Sequence, residues 1–170
     1  DDRGDQDGGG GGTAGASERD TMSFEAALAL TLGFEGGFSD DKRDPGGRTM
    51  KGITQKTYND WLVRRGLVES QDVKDITDHD VACIYRTEYW NRCRCDALKE
   101  PLATVMFDTA VNMGPNRAVG LLADSAGNPK TYLDLREKYY HDLVTKRPAM
   151  RVFLKGWLRR VGALRVLPGC

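Results

Sequence analysis

Residues 35–54 read EGGFSDDKRDPGGRTMKGIT, and this stretch decides the fold of the chain. Glu35 follows an apolar helical pattern over residues 24–34, and the two glycines after it end the helix. An acidic segment with an Asp-Pro-Gly-Gly turn comes next, and a short strand-like run over residues 49–53 closes the stretch. This order of elements predicts a carboxyl group mounted where a helix meets a small β-hairpin, at the edge of a cleft.

The position of Glu35 on the helical pattern predicts its chemistry. Eleven residues, close to three helical turns, separate it from Phe24, so both side chains lie on the face that is buried. Partial burial and the negative end of the helix dipole both favour the neutral carboxylic acid, which is the form that protonates a glycosidic oxygen. A solvated glutamate without a catalytic role fits the same local pattern at a helix end, so the longer motif is needed to distinguish the two interpretations.

The whole stretch resembles the opening motif of glycoside hydrolase family 108, the bacterial and phage N-acetylmuramidases of the lysozyme superfamily. The resemblance rests on EGG before an aromatic residue, DPGG at residues 44–47, Thr49, and GIT at residues 52–54. More loosely, Glu35, Asp44 and Thr49 resemble the Glu-Asp-Thr triad of phage-type lysozymes, with one residue fewer between the aspartate and the threonine.

This resemblance implies catalytic roles for Glu35, Asp44 and Thr49. Glu35 would be the proton donor, Asp44 would position a water, and the Thr49 hydroxyl would line the cleft. Asp44 also suits an Asx-type turn before a proline, and Asp40 or Asp41 would serve equally well as the second acid.

Four further residues are candidates for binding the substrate. Phe38 stands where the family usually has a tyrosine, and Thr54 closes the motif while also being placed to cap a helix over residues 55–65. Asn112 would hydrogen-bond an N-acetyl group or cap its own helix, and Trp90 would stack on a sugar or pack in the core. The resemblance implies no cofactor and no metal.

The second half of the chain extends the resemblance to most of what folds. Residues 89–90 and 107–118 look like a second conserved block of the family. Residues of about 130–165 resemble a C-terminal segment that is usually labelled a peptidoglycan-binding domain. We therefore expect one folded domain over residues 22–165.

Capping signals and apolar periodicity predict about seven helices and one hairpin. Thr54 and Thr77 are placed as N-caps, the second for a helix that runs to about residue 90, and Pro101 opens the most apolar helix. Two amphipathic helices follow over residues 132–144 and 148–161. The expected fold is α+β and mainly α: lysozyme-like, with a helical lobe and a small N-terminal β-hairpin lobe flanking a cleft.

Charge is unevenly distributed along a chain that is neutral overall. Residues 1–20 carry six acidic and two basic side chains and a glycine run, so residues 1–21 are expected to form a disordered tail. From Arg136 to the C-terminus there are nine basic and two acidic side chains. A basic C-terminal helix suits an anionic envelope surface, although a solvated helix face fits the same count.

The four cysteines leave two alternatives open. A disulfide between Cys83 and either Cys93 or Cys95 is favoured, and a zinc site that includes His79 is the weaker alternative because the spacing matches no familiar zinc motif.

The expected activity is hydrolysis of the β-1,4 bond between N-acetylmuramic acid and N-acetylglucosamine in bacterial peptidoglycan, with lysis of the cell. The alternatives are a lytic transglycosylase and a non-catalytic wall-binding or secretion accessory protein. No apolar run approaches the ~20 residues that span a bilayer, and no signal peptide is visible. We expect a monomer without a nucleic-acid partner, acting in the periplasm or cell wall of a bacterial host, secreted or phage-encoded.

Overall fold

The computed structural model describes residues 24–40, 47–67 and 71–170. This part of the chain is mainly helical with one small antiparallel sheet, which confirms the predicted fold class. The seven α-helices of the described residues are α1 (Phe24–Leu32), α2 (Gln55–Arg64), α3 (Asp78–Tyr85), α4 (Leu102–Met113), α5 (Pro115–Asp124), α6 (Pro129–Lys146) and α7 (Arg151–Arg165), and the strands are β1 (Thr49–Met50) and β2 (Ile53–Thr54). No helix within the described ranges is long and apolar enough to cross a membrane.

The central helix is α4, as its apolar sequence predicts. Its first nine residues are all buried, and α1, α5 and α6 pack around it. The Phe107 ring of α4 meets the rings of Phe24 and Trp90 edge to face, at centroid distances of 5.7 and 5.5 Å. Gly114 ends the helix with a positive φ of 88°, and Pro115 begins α5 at once.

Both predicted threonine caps are present. The Thr54 hydroxyl accepts a hydrogen bond from the Thr57 N–H at 3.1 Å, and the Thr77 hydroxyl accepts one from the Asp80 N–H at 3.0 Å. These bonds satisfy amide donors that a helix start leaves unpaired. The helix that starts at α3 continues as a π-helix over Arg86–Asn91, close to the predicted end.

The hairpin turn lies elsewhere than predicted. Lys51 and Gly52, inside the run expected to be a single strand, both have positive φ (49° and 75°) and form the tight turn between β1 and β2. Thr49 pairs with Thr54 across this hairpin, and Ser39 adds two backbone hydrogen bonds of 2.9 Å to Thr49. The prolyl turn expected at residues 44–47 falls largely on residues 41–46, which lie outside the described residues, as does the tail over residues 1–21.

The predicted disulfide is wrong, because all four cysteines are free thiols. Cys93 and Cys95 are buried and hydrogen-bonded to each other. Cys83 faces His79 on α3 instead, with its Sγ 3.5 Å from the His79 Nε2. Within the described residues, no three His, Cys, Asp or Glu side chains are grouped closely enough to hold a metal ion.

Candidate active site

Glu35 lies in the turn that follows α1, where its N–H bonds the Leu32 carbonyl at 3.2 Å. Gly33 ends the helix two residues earlier than predicted and lets the chain turn toward α7. The Glu35 side chain is 20% exposed, so the partial burial expected from its helix position is present. Its carboxyl group is therefore shielded on one side and open to a cleft on the other.

A buried arginine from the other end of the chain reaches Glu35. The Arg160 Nη1 donates to the Glu35 Oε1 at 2.8 Å, and its Nε donates to both carboxylate oxygens of Asp108 at 3.0 and 2.9 Å. Asp108 is fully buried and also accepts from the Arg136 Nη1 at 2.8 Å and from the Thr31 hydroxyl at 3.2 Å. Two acids and two bases thus form one continuous network, which we call the buried charge network (Glu35, Arg160, Asp108, Arg136).

The network is electrically balanced while Glu35 is ionised. Burial acts to lower the pKa of Arg160, but the neighbouring carboxylates of Asp108 and Glu35 outweigh it, and the pKa is raised above its ordinary value. Arg160 is therefore a permanent positive charge at the base of the cleft.

The hairpin turn packs against Glu35 on the side away from Arg160. The Tyr85 hydroxyl donates to the Lys51 carbonyl at 2.8 Å. A Cβ placed on Gly52 would stand 2.7 Å from the Tyr85 Oη and 3.0 Å from the Glu35 Oε2. Only glycine therefore fits at this position. The close partners of the Gly52 backbone are thus Tyr85 and Glu35.

The charge of Glu35 contributes to the raised pKa values of two nearby tyrosines, Tyr85 and Tyr89. Burial raises the pKa of Tyr85 well above its ordinary value, and the nearby Glu35 raises it further. Burial also raises the pKa of Tyr89, with Glu88 and then Glu35 adding to the effect. Both side chains therefore stay protonated, and the Tyr85 hydroxyl remains a hydrogen-bond donor at any pH at which the protein works.

A cleft of about 370 Å³ opens beside Glu35. Six of its nine lining residues come from α7, so the C-terminal helix forms one wall of the site. The lining residues are Phe34, Glu35, Asn112, Val152, Phe153, Gly156, Trp157, Arg159 and Arg160.

Aromatic rings stack along this wall. The Trp157 ring lies against the Tyr140 ring, with centroids 4.8 Å apart and planes at 17°, and against the Phe153 ring at 5.8 Å and 29°. Phe153 is 53% exposed, which is unusual for a large apolar ring. Gly156 keeps the wall open, since nothing lies within 4 Å of where its Cβ would be. The outer ring of the stack thus presents a face to whatever enters the cleft.

Asn112 lines the same cleft and is linked to the buried charge network. Its Oδ1 accepts from the Tyr140 hydroxyl at 2.5 Å, and the Tyr140 oxygen in turn accepts from the Arg136 Nε at 3.0 Å. The structure therefore brings together two of the sequence-predicted site residues, Glu35 and Asn112, through partners that the sequence analysis did not single out.

Phe38, Thr49 and Thr54 are not among the residues that line this cleft. Phe38 is 46% exposed, with the Arg48 guanidinium 5.4 Å above its ring. Thr49 is half-buried in β1, and the Thr54 hydroxyl is occupied by its capping bond. Asp44 lies outside the described residues. The roles predicted for these four residues stay predictions.

Trp90 requires a correction. It was a candidate for stacking on a sugar, with packing in the core as the alternative, and the structure favours the core: Trp90 is only 3% exposed and its ring packs edge to face on Phe24 and Phe107. Its indole N–H is satisfied by the Asp96 carboxylate at 2.7 Å. A ring enclosed in this way has no face for a substrate, so Trp90 belongs to the core.

Arg160 and Arg136 were the functional side chains that sequence reasoning missed. Both were counted among the bases of a surface patch, yet they are 6% and 0% exposed. A signal was available, because residue 160 lies three positions after Trp157 and four before Leu164, on the apolar stripe of α7. Asp108 gave the matching signal, as the single charge in an apolar helix.

The fold and the site together define the class: a mainly helical, lysozyme-like α+β protein with a glutamate at the edge of an aromatic-walled cleft. Residues 28–114 match the model of the family described as glycosyl hydrolase 108, and the chain belongs to this family. Family membership makes it a glycoside hydrolase. The match ends before residues 130–165, so a peptidoglycan-binding segment there stays a prediction.

A solved structure, described as the structure of Brucella abortus SagA, has a similar fold. The two chains are 29% identical, the match covers 84% of this chain and 91% of that one, and the TM-score is 0.68. No curated protein is significantly similar to this chain in sequence. The family match and the structural neighbour together support a glycosidase that acts on peptidoglycan.

Proposed function

We propose that this protein is a muramidase, which hydrolyses the β-1,4 bond between N-acetylmuramic acid and N-acetylglucosamine in peptidoglycan. The observation that carries the proposal is the position of Glu35. In a chain of a glycoside hydrolase family, it is a partly buried carboxyl group at the edge of a cleft with an aromatic wall. Glu35 would donate its proton to the glycosidic oxygen as the bond breaks.

The walls of the cleft suit an N-acetylated sugar. The exposed ring of Phe153 gives the apolar face of a pyranose a surface to pack on, supported from behind by Trp157. Asn112 has its carbonyl oxygen engaged by Tyr140, which leaves its Nδ2 to donate to the carbonyl of an acetamido group. These two contacts would place the sugar chain with a glycosidic oxygen near Glu35.

The second half of the reaction needs a nucleophile, either a water or the acetamido group of the substrate itself. Asp108 cannot activate a water, since it is fully buried and both of its oxygens accept from arginine. Asp40 lies 3.7 Å from the Arg48 Nε on the hairpin side. From the sequence motif, Asp44 is our candidate for positioning the water, with Asp40 and Asp41 as the alternatives, and Thr49 is proposed to line the hairpin side of the cleft.

The site of action would be the cell wall or periplasm of a bacterial host, where degradation of the wall would lyse the cell. Arg147, Arg151 and Lys155 are exposed along the start of α7 and its approach. We propose that these bases hold the enzyme on the anionic envelope. Arg136 and Arg160 no longer count toward this patch, because they are buried.

The products from purified peptidoglycan test the proposal. Digestion followed by borohydride reduction and mass spectrometry should give fragments that end in reduced N-acetylmuramic acid. Fragments with a 1,6-anhydro end, one water lighter and resistant to reduction, would show a lytic transglycosylase. Fragments that end in reduced N-acetylglucosamine would show that the enzyme cleaves the other glycosidic bond of the glycan. A glycan that stays intact would favour a non-catalytic wall-binding protein.

A further inference from the structure

The contact between Arg160 and Glu35 joins side chains 125 residues apart in sequence. We infer that Arg160 is a positioning residue for the reaction: it holds the Oε1 of Glu35, so that the proton to be donated resides on Oε2. This inference rests on the proposed role of Glu35 as the proton donor. Neither the family match nor the structural neighbour assigns a role to Arg160.

The guanidinium of Arg160 is fixed in one orientation. Its Nε is held by both oxygens of Asp108, its Nη2 lies 2.9 Å from the Asp108 Oδ2, and its Cζ lies 4.9 Å from the centroid of the Phe34 ring. A planar guanidinium held at these points has little freedom to rotate. The remaining Nη1 is thereby aimed at Glu35.

The donor chemistry of arginine then selects the oxygen that carries the proton. A guanidinium has five N–H donors and no acceptor, so the Arg160 Nη1, 2.8 Å from Oε1, pairs best with the stronger acceptor oxygen of the neutral acid, which is its carbonyl oxygen. This contact favours the form of neutral Glu35 in which Oε1 is the carbonyl oxygen and Oε2 the hydroxyl oxygen. Oε2 lies on the side of the hairpin turn, at the position where Gly52 leaves room for it.

The charge balance shows how Arg160 would also favour the reaction. Arg136 alone would balance Asp108, so Arg160 adds a positive charge that only ionised Glu35 compensates. Proton transfer from Oε2 to the glycosidic oxygen breaks the C–O bond and turns Glu35 into the carboxylate that Arg160 stabilises. The attacking water adds its hydroxyl to the sugar, and its remaining proton returns Glu35 to the neutral form. Arg160 thus interacts more strongly with the product of proton transfer than with the neutral acid.

Among the described residues, groups from several elements face Glu35 and bear on the pH dependence of this step. Arg160 faces it from α7, Tyr85 from α3, and Tyr89 from the π-helix that follows α3. Asp108 of α4 acts from behind Arg160, and the hairpin contributes the Lys51 carbonyl through Tyr85. The two phenols stay protonated, so removing Arg160 is the change that alters the charge next to Glu35.

Two substitutions separate orientation from charge. Arg160→Lys keeps a positive charge beside Asp108, but the single ammonium group of lysine cannot bind Asp108 and Glu35 at the same time in the geometry that the guanidinium gives. We expect kcat on a soluble muramyl oligosaccharide to fall on the order of 10²-fold, the size of a misplaced catalytic group, with KM changing little. Arg160→Gln removes the charge as well, so the carboxylate formed by proton transfer loses its stabilising partner, and kcat should fall further than in Arg160→Lys with KM again changing little.

Thr31→Val is the matched control. It removes a hydrogen bond to the same buried Asp108 without touching Glu35, so it should lower the melting temperature and leave kcat unchanged. All variants are assayed well below their melting temperatures. Arg160→Lys keeps the buried positive charge and therefore carries the test if Arg160→Gln does not fold.

Folded Arg160 variants with the kcat of Thr31→Val would show that Arg160 only supports the fold, and the inference would be wrong. Failure of the proposed function is distinguishable, since the wild-type protein would then release no reducing ends from the same substrate.

Discussion

Replacing Gly52 by alanine tests how tightly the hairpin turn is packed against the catalytic carboxyl. The new Cβ would lie 2.7 Å from the Tyr85 Oη and 3.0 Å from the Glu35 Oε2, so both groups would have to move. Gly66 offers a matched control. It has the same φ of 75°, but nothing lies within 4 Å of its Cβ position. Alanine at Gly66 therefore meets only the backbone cost of a left-handed conformation.

The difference between the two variants can be worked out from these contacts. The left-handed backbone costs alanine about 1–2 kcal/mol at either position. At Gly52 alone, loss of the Tyr85 hydrogen bond to Lys51 adds about 0.5–1.5 kcal/mol. Overpacking adds about 1–3 kcal/mol where neighbours cannot yield. We therefore expect Gly52→Ala to be less stable than Gly66→Ala by about 1.5–4.5 kcal/mol, or roughly 3–18 °C in melting temperature.

The assay combines thermal unfolding with kcat on a soluble muramyl oligosaccharide. Gly66→Ala should keep the wild-type kcat, whereas Gly52→Ala should lose at least about tenfold because Glu35 is displaced from its position. Equal melting temperatures and equal kcat values for the two variants would refute the reasoning, since the hairpin turn would then not be in contact with Glu35.

Three further predictions concern the cleft wall, the basic surface and a buried carboxyl group. Phe153→Ala should raise KM for a soluble glycan several-fold with little change in melting temperature, because the half-exposed ring contributes more to binding than to the core; an unchanged KM would argue against stacking. Reversing the charges of Arg147, Arg151 and Lys155 should weaken sedimentation with sacculi at low salt, as 0.5 M NaCl does for the wild type, while soluble turnover stays constant. Burial raises the pKa of Glu100, so its ionisation opposes folding, and the stability due to this group falls as pH rises above about 4.3. The melting temperature of Glu100→Gln minus that of the wild type should therefore increase between pH 4 and pH 7. A difference that stays constant over this range would contradict the assignment.

Local signals predicted most of the helical lobe. The apolar run of α4 could be recognised because its first nine residues are all buried. The helices after Thr54 and Thr77 could be recognised because each threonine is placed to cap a helix start. Glu35 could be placed because the glycines beside it mark the end of α1, although the helix stops at Leu32 and its periodicity does not reach Glu35. Each of these features depends on residues within a few turns of one another.

The features that were missed depend on distant partners or competing turn signals. Proline and glycine at residues 44–47 are stronger turn formers than Lys51 with Gly52, so the two-residue turn inside the strand-like run was overlooked. Arg160 was taken for a surface charge because its partners, Asp108 and Glu35, are 52 and 125 residues away. In the sequence, the one sign of a buried ion pair between such distant side chains is a charged residue at a helix position where the pattern calls for an apolar one.

The central claim is that Glu35 is the proton donor, and Glu35→Gln tests it most directly. Glutamine keeps the size of the side chain and an oxygen to accept from Arg160, but it has no acidic proton to give. Release of reducing ends from purified peptidoglycan should fall at least 10²-fold, the usual size of a lost general acid, while circular dichroism shows the wild-type helical content. A folded Glu35→Gln protein that retains most of the wild-type rate would contradict the account.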